Sequence, residues 1–569
     1  MWLLTNLSLN GQIGEPKYNT KGFSVYGDVL WEFEPNTKTY WFYYGYLLFR
    51  NGMEPEGNNI KDKINYAIIN GQDLKNIVKG NFVFIRFTER SFEIIGDRFG
   101  IQKWFIWQNN KDSFIISDSL STIRDIVKPD IYPEAMALYS LTYHWTSELT
   151  IFKSILHNGP SHYVCYNNGL FEISKYWNPI QLLNCNRKDI TIKDLVNVLS
   201  EHIAQLLNIY NGKISLSLTG GADTRNILAL LLKNGITPHL YTYGNPKSND
   251  CVKASNIAKG LKLQHSIHNI QMNSNIFRNY SQKIIKWGQS LTSIHRTHRI
   301  MAVERESEYA DIMFLGTLGG EFVKGVSEDD YIVPSIVTQN WNTLELENGI
   351  IQIWLDKKKI NESAINKENL KNYLNSEPYF QGNIIQRKMA SLTHITTHLH
   401  DAQDIILYQY PMKYVFTPFL DIDYLEILFA SSFSFNNKEI IPNKIIRRVT
   451  NPIFCSNFIK ETYPPLGSYR YSGEHKPNEV LFNPYYAAFI KLFRQKIHKP
   501  YLPNFPLDNW MLEFVKEELP KCFHYEPIKS TFNVDTLINL LNSTKLIPKE
   551  SFWLKFTNPI FIKFILDYM

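Results

Sequence analysis

Lys213 to Gly235 reads KISLSLTGGADTRNILALLLKNG, and this stretch decides how the centre of the chain folds. Its first residues alternate between apolar and polar side chains, which is typical of a β-strand with one buried face. Later apolar residues recur at helical spacing, at Ile227, Leu228, Leu231 and Leu232. Gly235 marks the end of that helix. The pattern predicts a strand, a glycine turn and the start of a helix, in that order.

The turn from Thr219 to Thr224, TGGADT, predicts an anion site. Paired glycines let a backbone turn sharply and approach a ligand, and the first N–H groups of a helix favour a phosphate. The GxxxxGK[ST] pattern of a P-loop is missing, so no lysine reaches the phosphates from this turn. Asp223 suits a phosphate site if Mg²⁺ bridges the carboxylate and the phosphates. The alternative is an ordinary tight turn in which Asp223 caps the helix.

Ser217 to Arg225, SLTGGADTR, resembles the pyrophosphate loop of the asparagine synthetase family, whose usual form is SGGxDS. Thr219 and Thr224 stand in place of the two serines and keep both hydroxyls. The resemblance implies that ATP activates a carboxylate as an acyl-adenylate, which an amine or ammonia then captures. It implies that ATP and Mg²⁺ are the cofactors, with Mg²⁺ on Asp223. The nucleotide contacts implied within this stretch are Leu218, Thr219, Gly220, Gly221, Ala222, Asp223 and Thr224.

The whole chain has 569 residues, which predicts two or three domains. A composition with 44% hydrophobic and 20% charged residues is typical of a globular protein. The formal net charge of +6 is small for this length, so we expect neither a nucleic-acid nor a membrane partner. The five cysteines include no CxxC pair and fit the reducing cytoplasm. The opening MWLLTNLSLNGQIGEP lacks the basic region of a signal peptide, and no apolar run reaches membrane-spanning length.

Residues 1–178 are rich in β-strand patterns and resemble the family's N-terminal amidotransferase domain, an αββα sandwich of the Ntn type. The resemblance rests on residues 80–82, 96–101 and 114–118. That domain normally hydrolyses glutamine with a cysteine at its mature N-terminus. Here the second residue is Trp2 and the first cysteine is Cys165. The sequence therefore predicts a retained domain without glutaminase activity.

Residues 190–475 alternate strand and helix patterns, which predicts an α/β domain with a mostly parallel sheet. Ligands of such sheets bind at the carboxyl ends of the strands. The strand His239–Tyr243 ends at Gly244, and the strand Ile312–Leu315 ends at Gly316. The resemblance implies an ATP-pyrophosphatase domain (a PP-loop, adenine nucleotide α-hydrolase-like fold), with Gly244 and Gly316 contacting the nucleotide. Residues 476–569 are expected to form a helical extension.

The sequence after the third strand departs from the family, which has GEGSDELFGG where this chain has GTLGGEF. Thr317 occupies the position of a catalytic Glu, and Gly320 that of a Mg²⁺-binding Asp. Only Glu321 keeps its acid, so Glu321 is the candidate second catalytic and Mg²⁺-binding carboxylate. The alternative is that Glu321 caps a helix.

Two further elements resemble the family. Thr417 to Asp421 resembles its PFLD element, and we expect Asp421 to tie a loop near the active site. Lys444 to Arg448, KIIRR, resembles its KxxLR element. The resemblance implies that Lys444 neutralises charge developing on the α-phosphate. The alternative is a basic helix face in solvent.

Histidine and arginine pairs are weaker candidates. The candidate histidines form one pair and one group of three, which are His295 and His298, and His394, His398 and His400. Their spacing suggests zinc, but no cysteine supports it, and packed or surface histidines are favoured. Arg296 and Arg299 are candidate contacts for phosphate or carboxylate.

These observations predict an ATP-dependent, AMP-forming amide ligase whose catalytic residues are Asp223, Glu321 and Lys444. Its substrates are a small-molecule or peptide carboxylate and an amine. Loss of the glutaminase cysteine is shared with relatives that form β-lactams or close lasso peptides. One alternative is an ammonia-dependent asparagine synthetase, which Thr317 and Gly320 disfavour. Another is a non-catalytic nucleotide-binding or scaffold protein, which the intact GG-x-D sequence and Lys444 disfavour.

Overall fold

A computed structural model describes residues 1–569 except 10–11, 110–112, 143, 147, 186–188, 326–359, 365, 367, 370–371, 373–375, 439–443, 498–500, 504–506 and 544–549. The N-terminal part is built on two antiparallel sheets of six strands each. In spatial order, the first sheet contains Ile155–His157, Phe105–Asn109, Ser113–Ser117, Trp2–Thr5, Ser24–Gly27 and Tyr18–Asn19. The second contains Leu170–Lys175, His162–Asn167, Ser91–Gly96, Val78–Phe87, Thr39–Phe49 and Glu32–Glu34.

The two sheets share one apolar core, because inward residues of both belong to the same buried cluster, including Trp2, Val25, Val83 and Ile94. Helices Ile60–Ile69 and Leu74–Ile77 pack on the outer face of the second sheet, and Leu120–Val127 packs on the first. Helix Pro133–Thr142 follows. These layers are compatible with the predicted αββα sandwich.

A parallel sheet of five strands forms the centre of the chain. Its spatial order is His265–His268, His239–Tyr243, Ile214–Ser217, Ile312–Phe314 and Tyr414–Phe416. Every neighbouring pair is parallel, as the alternating pattern predicted. The central strand continues into the turn at Thr219, and helix Asp223–Lys233 buries its apolar side, including Ile227 and Leu228.

Helices surround this sheet. They are Ile192–Ile209, Asp223–Lys233, Asn249–Leu261, Ser274–Trp287, Thr297–Glu306, Glu321–Lys324, Ile384–Ala390, Ala402–Tyr408, Ile422–Ala430 and Lys444–Thr462, with a π-helix at Ser391–Asp401. The first begins with a capping box in which Thr191 and Asp194 satisfy each other's backbone N–H groups.

The final part of the chain is helical where it is described, as expected. Its helices are Pro477–Phe482, Pro484–Ile497, Leu507–Cys522, Glu526–Thr531, Val534–Ser543 and Glu550–Tyr568. Leu507–Cys522 packs on the central part, where the ring of Phe514 lies 5.3 Å from that of Phe277. Among the described helices, none combines the length and the apolar content needed to cross a bilayer.

A buried ionic cluster joins the N-terminal and central parts. Asp421 Oδ2 lies 2.9 Å from Lys79 Nζ and 2.8 Å from His202 Nδ1, while Asp423 Oδ2 lies 2.8 Å from the same lysine nitrogen. Burial would raise the pKa of Asp421, but the nearby His202 and Lys79 lower it well below its usual value. Asp421 also caps the helix Ile422–Ala430, because its Oδ1 accepts from the N–H of Tyr424 at 3.0 Å. Asp421 thus ties the two parts of the molecule together.

Candidate functional site

A cavity of about 230 Å³ opens at the carboxyl ends of three central strands, as the fold predicts. It contains five of the predicted nucleotide contacts, which are Thr219, Gly221, Asp223, Thr224 and Gly316. The remaining lining residues are Ser217, Tyr241, Tyr243, Arg299, Leu315, Thr317, Asp404 and Tyr408. Leu218, Gly220, Ala222 and Gly244 are predicted contacts that do not line it. Leu218 is wholly buried and its carbonyl accepts from Thr242 Oγ1 at 2.6 Å, so it supports the sheet.

The glycine turn is held by the protein itself. Gly220 N donates to Asp250 Oδ1 at 3.0 Å, and Gly221 N donates to Thr219 Oγ1 at 3.1 Å. A Cβ on Gly220 would lie 2.3 Å from Ser472 Oγ, so a larger residue here would have to displace that hydroxyl. Both glycine N–H groups therefore have acceptors already, in contrast to the expectation that they turn to a ligand. The N–H groups of the first helical turn are the donors that remain for an anion.

Asp223 is the first residue of its helix, and the N-cap position belongs to Ala222, which makes no side-chain capping bond. The alternative role of Asp223 as an N-cap is therefore wrong. Among the described residues, Asp223 Oδ1 is buried without a hydrogen-bond partner. An unpartnered buried carboxylate oxygen is costly, so a donor or a cation is expected there.

Burial, together with the neighbouring charge of Glu321, raises the pKa of Asp223 to about 7, while Lys324 acts in the opposite sense. The structure thus brings together the two carboxylates that the sequence singled out. Glu321 Oε1 lies 3.0 Å from Lys324 Nζ, and its Oε2 accepts from Gly320 N at 3.3 Å. This last bond lies at the start of helix Glu321–Lys324, so Glu321 also satisfies a backbone N–H there.

The donor set fits Mg²⁺. Two neighbouring carboxylates with one unpartnered oxygen attract a divalent cation, which would relieve their mutual repulsion. Within the described parts of the chain, no group of three or more histidine, cysteine or acidic side chains is placed to hold a metal. Mg²⁺ usually takes one or two carboxylates and completes its shell with phosphate oxygens and water. Asp223 and Glu321 would supply two such carboxylates.

The loop after the strand Ile312–Phe314 is packed tightly onto the glycine turn. A Cβ on Gly316 would lie 2.6 Å from the backbone N of Thr224, and one on Gly319 would lie 2.7 Å from the ring of Phe419. Leu318 adopts a left-handed conformation with φ of 66°. Such a φ is rare for a non-glycine residue and clusters at functional sites. The loop places Thr317 on the cavity wall.

Arg225 supports the turn from behind, and no sequence motif marked it. Its side chain is fully buried, donates to the carbonyls of Tyr469 and Arg470 at 2.8 and 2.9 Å, and lies 4.3 Å from the ring centroid of Tyr471. Burial lowers its pKa to about 10, so it stays charged at neutral pH. These bonds hold the segment that brings Ser472 against Gly220.

The opposite wall of the cavity carries an ionic group. Asp404 Oδ2 accepts from Arg296 at 2.8 Å and from Arg299 at 2.6 Å. Burial would raise the pKa of Asp404, but the two arginines lower it, so the carboxylate is ionised at neutral pH. Asp404 and Tyr408 were not identified from the sequence. Arg299 lines the cavity, as its candidacy for a phosphate or carboxylate contact requires.

Four of the histidines considered for zinc, His298, His394, His398 and His400, are packed among protein groups, and the side chain of His295 lies outside the described residues. His398 Nδ1 lies 2.8 Å from Lys103 Nζ, and the ring of His400 lies 5.6 Å from that of His144. Burial lowers the pKa of His394 to about 4. The favoured alternative, packed histidines, agrees with these contacts. Lys444 begins the helix Lys444–Thr462, and its side chain lies outside the described residues.

Trp2 stands at the position where the resemblance to the amidotransferase domain would place a nucleophilic cysteine. Trp2 is 1% exposed, and its backbone N donates to Asp118 Oδ1 at 2.9 Å. Cys165 lies on the strand His162–Asn167. Burial raises the pKa of its thiol, and the negative charges of Glu172 and Glu93 raise it as well. A raised pKa keeps the thiol protonated and unreactive.

We therefore predict no glutamine hydrolysis above background, because the reaction needs an activated nucleophile beside a base. The measurement is glutamate release from glutamine with and without ATP, in the wild type and in Cys165→Ser. Turnover that persists in Cys165→Ser would show that another group acts as nucleophile and would contradict the prediction.

Comparisons with known proteins gave only distant similarities. No family model matches the chain, and no curated protein matches it. Among solved structures, NMN synthetase from Francisella tularensis shows 14% identity over 40% of this chain and 96% of its own, with a TM-score of 0.20. The glutamine phosphoribosylpyrophosphate amidotransferase from B. subtilis shows 11% identity over 71% and 78%, with a TM-score of 0.18. An allosteric regulatory enzyme of purine biosynthesis shows 8% identity over 37% and 50%, with a TM-score of 0.13. TM-scores at this level do not establish a common fold.

Proposed function

We propose that this chain is an ATP-dependent, AMP-forming amide ligase that joins a carboxylate to an amine without hydrolysing glutamine. The observation that carries the proposal is Asp223, whose buried oxygen has no partner among the described residues, at the start of a helix and beside Glu321. A helix N-terminus with two carboxylates suits a polyphosphate that arrives with Mg²⁺.

In the first step the substrate carboxylate attacks the α-phosphorus of ATP. The bond between the α-phosphorus and the bridging oxygen breaks, and pyrophosphate leaves with its electrons. The N–H groups of the first turn of helix Asp223–Lys233 and the hydroxyls of Thr219 and Thr224, 3.5 Å apart, hold the departing pyrophosphate. Bound Mg²⁺ supplies charge neutralisation, and Asp223 with Glu321 would hold it.

In the second step an amine attacks the acyl carbon of the adenylate. AMP leaves, and the nitrogen loses a proton to form the amide. The Arg299–Asp404 pair on the opposite wall supplies a fixed cation and a fixed anion 2.6 Å apart. We propose that this pair orients the carboxylate or amine substrate, because charged groups with fixed positions bind charged substrates without reorganisation.

The experiment is ATP–pyrophosphate exchange with a panel of amino-acid and peptide carboxylates. We expect exchange that depends on one class of carboxylate, with AMP and not ADP as the nucleotide product. Aspartate with ammonia forms a separate arm: asparagine formation would favour the ammonia-dependent asparagine synthetase. Absence of exchange in every arm, together with absence of ATP binding, would favour the scaffold alternative.

Lys444→Ala is expected to slow adenylation by about 10²- to 10³-fold while nucleotide affinity changes little. The physical reason is that charge grows at the α-phosphate only in the transition state, so a cation there acts mainly on the rate. Lys444→Arg should rescue only in part, because a planar guanidinium does not replace a compact ammonium. The measurement is single-turnover AMP formation alongside nucleotide affinity.

Lys460→Ala is the matched control, since Lys460 is exposed near the other end of the same helix. If affinity falls as much as rate, Lys444 binds the ground state. If Lys444→Ala behaves like the control, Lys444 belongs to a solvated basic face.

A further inference from the structure

The helix Pro484–Ile497 presents an apolar face to solvent. Phe489 is 65% exposed, Leu492 62% and Ile497 65%. The apolar face begins just before the helix, at Phe482, which is 82% exposed. Its other large members are Tyr485, Tyr486 and Phe493. The spacing of three and four residues places these side chains along one continuous stripe.

The protein holds this helix so that the stripe faces outward. Arg494 donates to Glu479 Oε2 at 2.9 Å and, through its second nitrogen, to Oε1 at 2.8 Å. It also donates to the carbonyl of Glu474 at 2.9 Å. Ala487, 3% exposed, is the helix residue that packs inward. The buried Ala487 and the bidentate ion pair between Arg494 and Glu479 fix the rotation of the helix about its axis.

The surface that carries the stripe is basic. From Val480 to Leu507 the sequence contains no aspartate or glutamate, but it contains Lys491, Arg494, Lys496 and Lys499. Lys496 is exposed within the helix, one residue before Ile497. Arg494 is paired with Glu479, so Lys491 and Lys496 are the cations of this helix that remain to attract an anionic surface.

We propose that the helix Pro484–Ile497 docks on the surface of an anionic lipid bilayer, with its apolar stripe at the boundary between headgroups and acyl chains. Exposed aromatic and aliphatic side chains beside lysines, without acids, are the composition of helices that lie in this interface. Phe489, Leu492 and Ile497 project from a convex helix, which suits a deformable lipid surface, whereas a peptide ligand requires a groove. The helix has 14 residues and is about 21 Å long, too short to span the hydrocarbon core.

This inference is independent of the proposed ligase function. It departs from the expectation, drawn from the net charge of +6, that the chain has no membrane partner. That charge averages over the chain and does not show that cations and exposed apolar groups coincide on one helix. Tyr485 and Tyr486 suit the boundary between headgroups and acyl chains, since a tyrosine can place its ring in the apolar layer and its hydroxyl in the hydrated headgroup layer.

The test is sedimentation of the full-length chain with vesicles of phosphatidylcholine alone and of phosphatidylcholine with 30% phosphatidylglycerol (on the order of a bacterial or organelle charge density). We expect binding to the anionic vesicles that weakens with salt. The double variant Phe489→Gln/Leu492→Gln should lose about tenfold or more of this affinity, because it removes two inserting side chains. Lys496→Gln should lose less and should reduce the salt dependence.

The matched control is Leu30→Gln/Leu170→Gln, which removes two other leucines, 84% and 79% exposed, outside the stripe. It should bind as the wild type does. Binding to neither vesicle, or equal loss in the control, would overturn the proposal. The alternative occupant of the stripe is a second copy of this chain, which light scattering in the absence of lipid would detect as a dimer. A dimer that Phe489→Gln/Leu492→Gln dissociates would show that a second copy covers the stripe and would overturn the proposal of lipid docking.

Discussion

Asp223→Asn is expected to reduce ATP–pyrophosphate exchange by about 10²- to 10³-fold, the typical loss when one preorganised electrostatic group is removed from a reaction centre. The reason is that Asn keeps the shape of the side chain but removes the negative charge that would hold Mg²⁺ beside Glu321. The variant should also lose most of its affinity for Mg²⁺–pyrophosphate. The measurements are exchange rate and pyrophosphate affinity at a fixed concentration of Mg²⁺.

The same variant should fold normally without ligand. The pKa of Asp223 is raised to about 7 in the folded chain, above the usual value of about 3.9 in an unfolded one. The folded state therefore binds more protons between these values, and the contribution of Asp223 to stability is lost as pH rises from about 4 to 7. Asp223→Asn should remove this dependence and should be at least as stable as the wild type at pH 8. Urea unfolding at pH 5 and pH 8 measures it.

Thr224→Ser is the matched control for exchange, because it keeps the hydroxyl next to Asp223 and should retain most of the activity. If Asp223→Asn exchanges pyrophosphate as fast as this control, Asp223 is not the cation ligand. A strong loss of stability at pH 8 would show that the unpartnered oxygen has a structural role.

Lys79→Met is expected to have the largest effect on stability, a loss of about 3–5 kcal/mol in the free energy of unfolding. The side chain of Lys79 is 1% exposed and lies between Asp421 and Asp423. Removing the cation leaves each buried carboxylate with only its second partner, His202 at Asp421 and Arg50 at Asp423. Buried acids that lose part of their charge compensation are costly. Urea unfolding of the full chain, followed by tryptophan fluorescence, is the measurement.

Two controls separate this effect from loss of a surface ion pair. Lys21→Met removes an exposed pair, with Lys21 Nζ 3.1 Å from Glu89, and should cost about 0–1 kcal/mol. Adding Asp423→Asn to Lys79→Met should recover part of the loss, since one of the two carboxylates is then neutral. A loss below about 1 kcal/mol for Lys79→Met would contradict the role of this cluster in joining the two parts of the molecule.

The sequence predicted the centre of the fold well because the signals there are local. Alternation marked the strand Ile214–Ser217, helical spacing marked Asp223–Lys233, and both elements are confirmed. The parallel direction of the strands followed from the βα repetition, which favours a parallel sheet whose ligands bind at the carboxyl ends. Asp223 and Glu321 were placed together for the same reason, since each follows a neighbouring strand.

The rest of the site depends on contacts between residues distant in sequence, which carry no local pattern. Gly220 meets Ser472, 252 positions later. Asp404 reaches the cavity from a helix that no motif marked. Its partner Arg299 lies on the helix Thr297–Glu306, and its partner Arg296 directly precedes that helix. The hydrogen bonds from the glycine N–H groups to Asp250 and Thr219 could not be predicted either. A motif specifies residue types and not which hydrogen bonds they make.

The most direct test of the pyrophosphate site is a calorimetric titration of the chain with pyrophosphate in the presence and absence of Mg²⁺, because it requires no knowledge of the carboxylate substrate. We expect one pyrophosphate site per chain that depends on Mg²⁺. Binding there should compete with a non-hydrolysable α,β-methylene analogue of ATP and should disappear in Asp223→Asn. Pyrophosphate binding that is absent at millimolar concentration, or that is unchanged in Asp223→Asn, would contradict it.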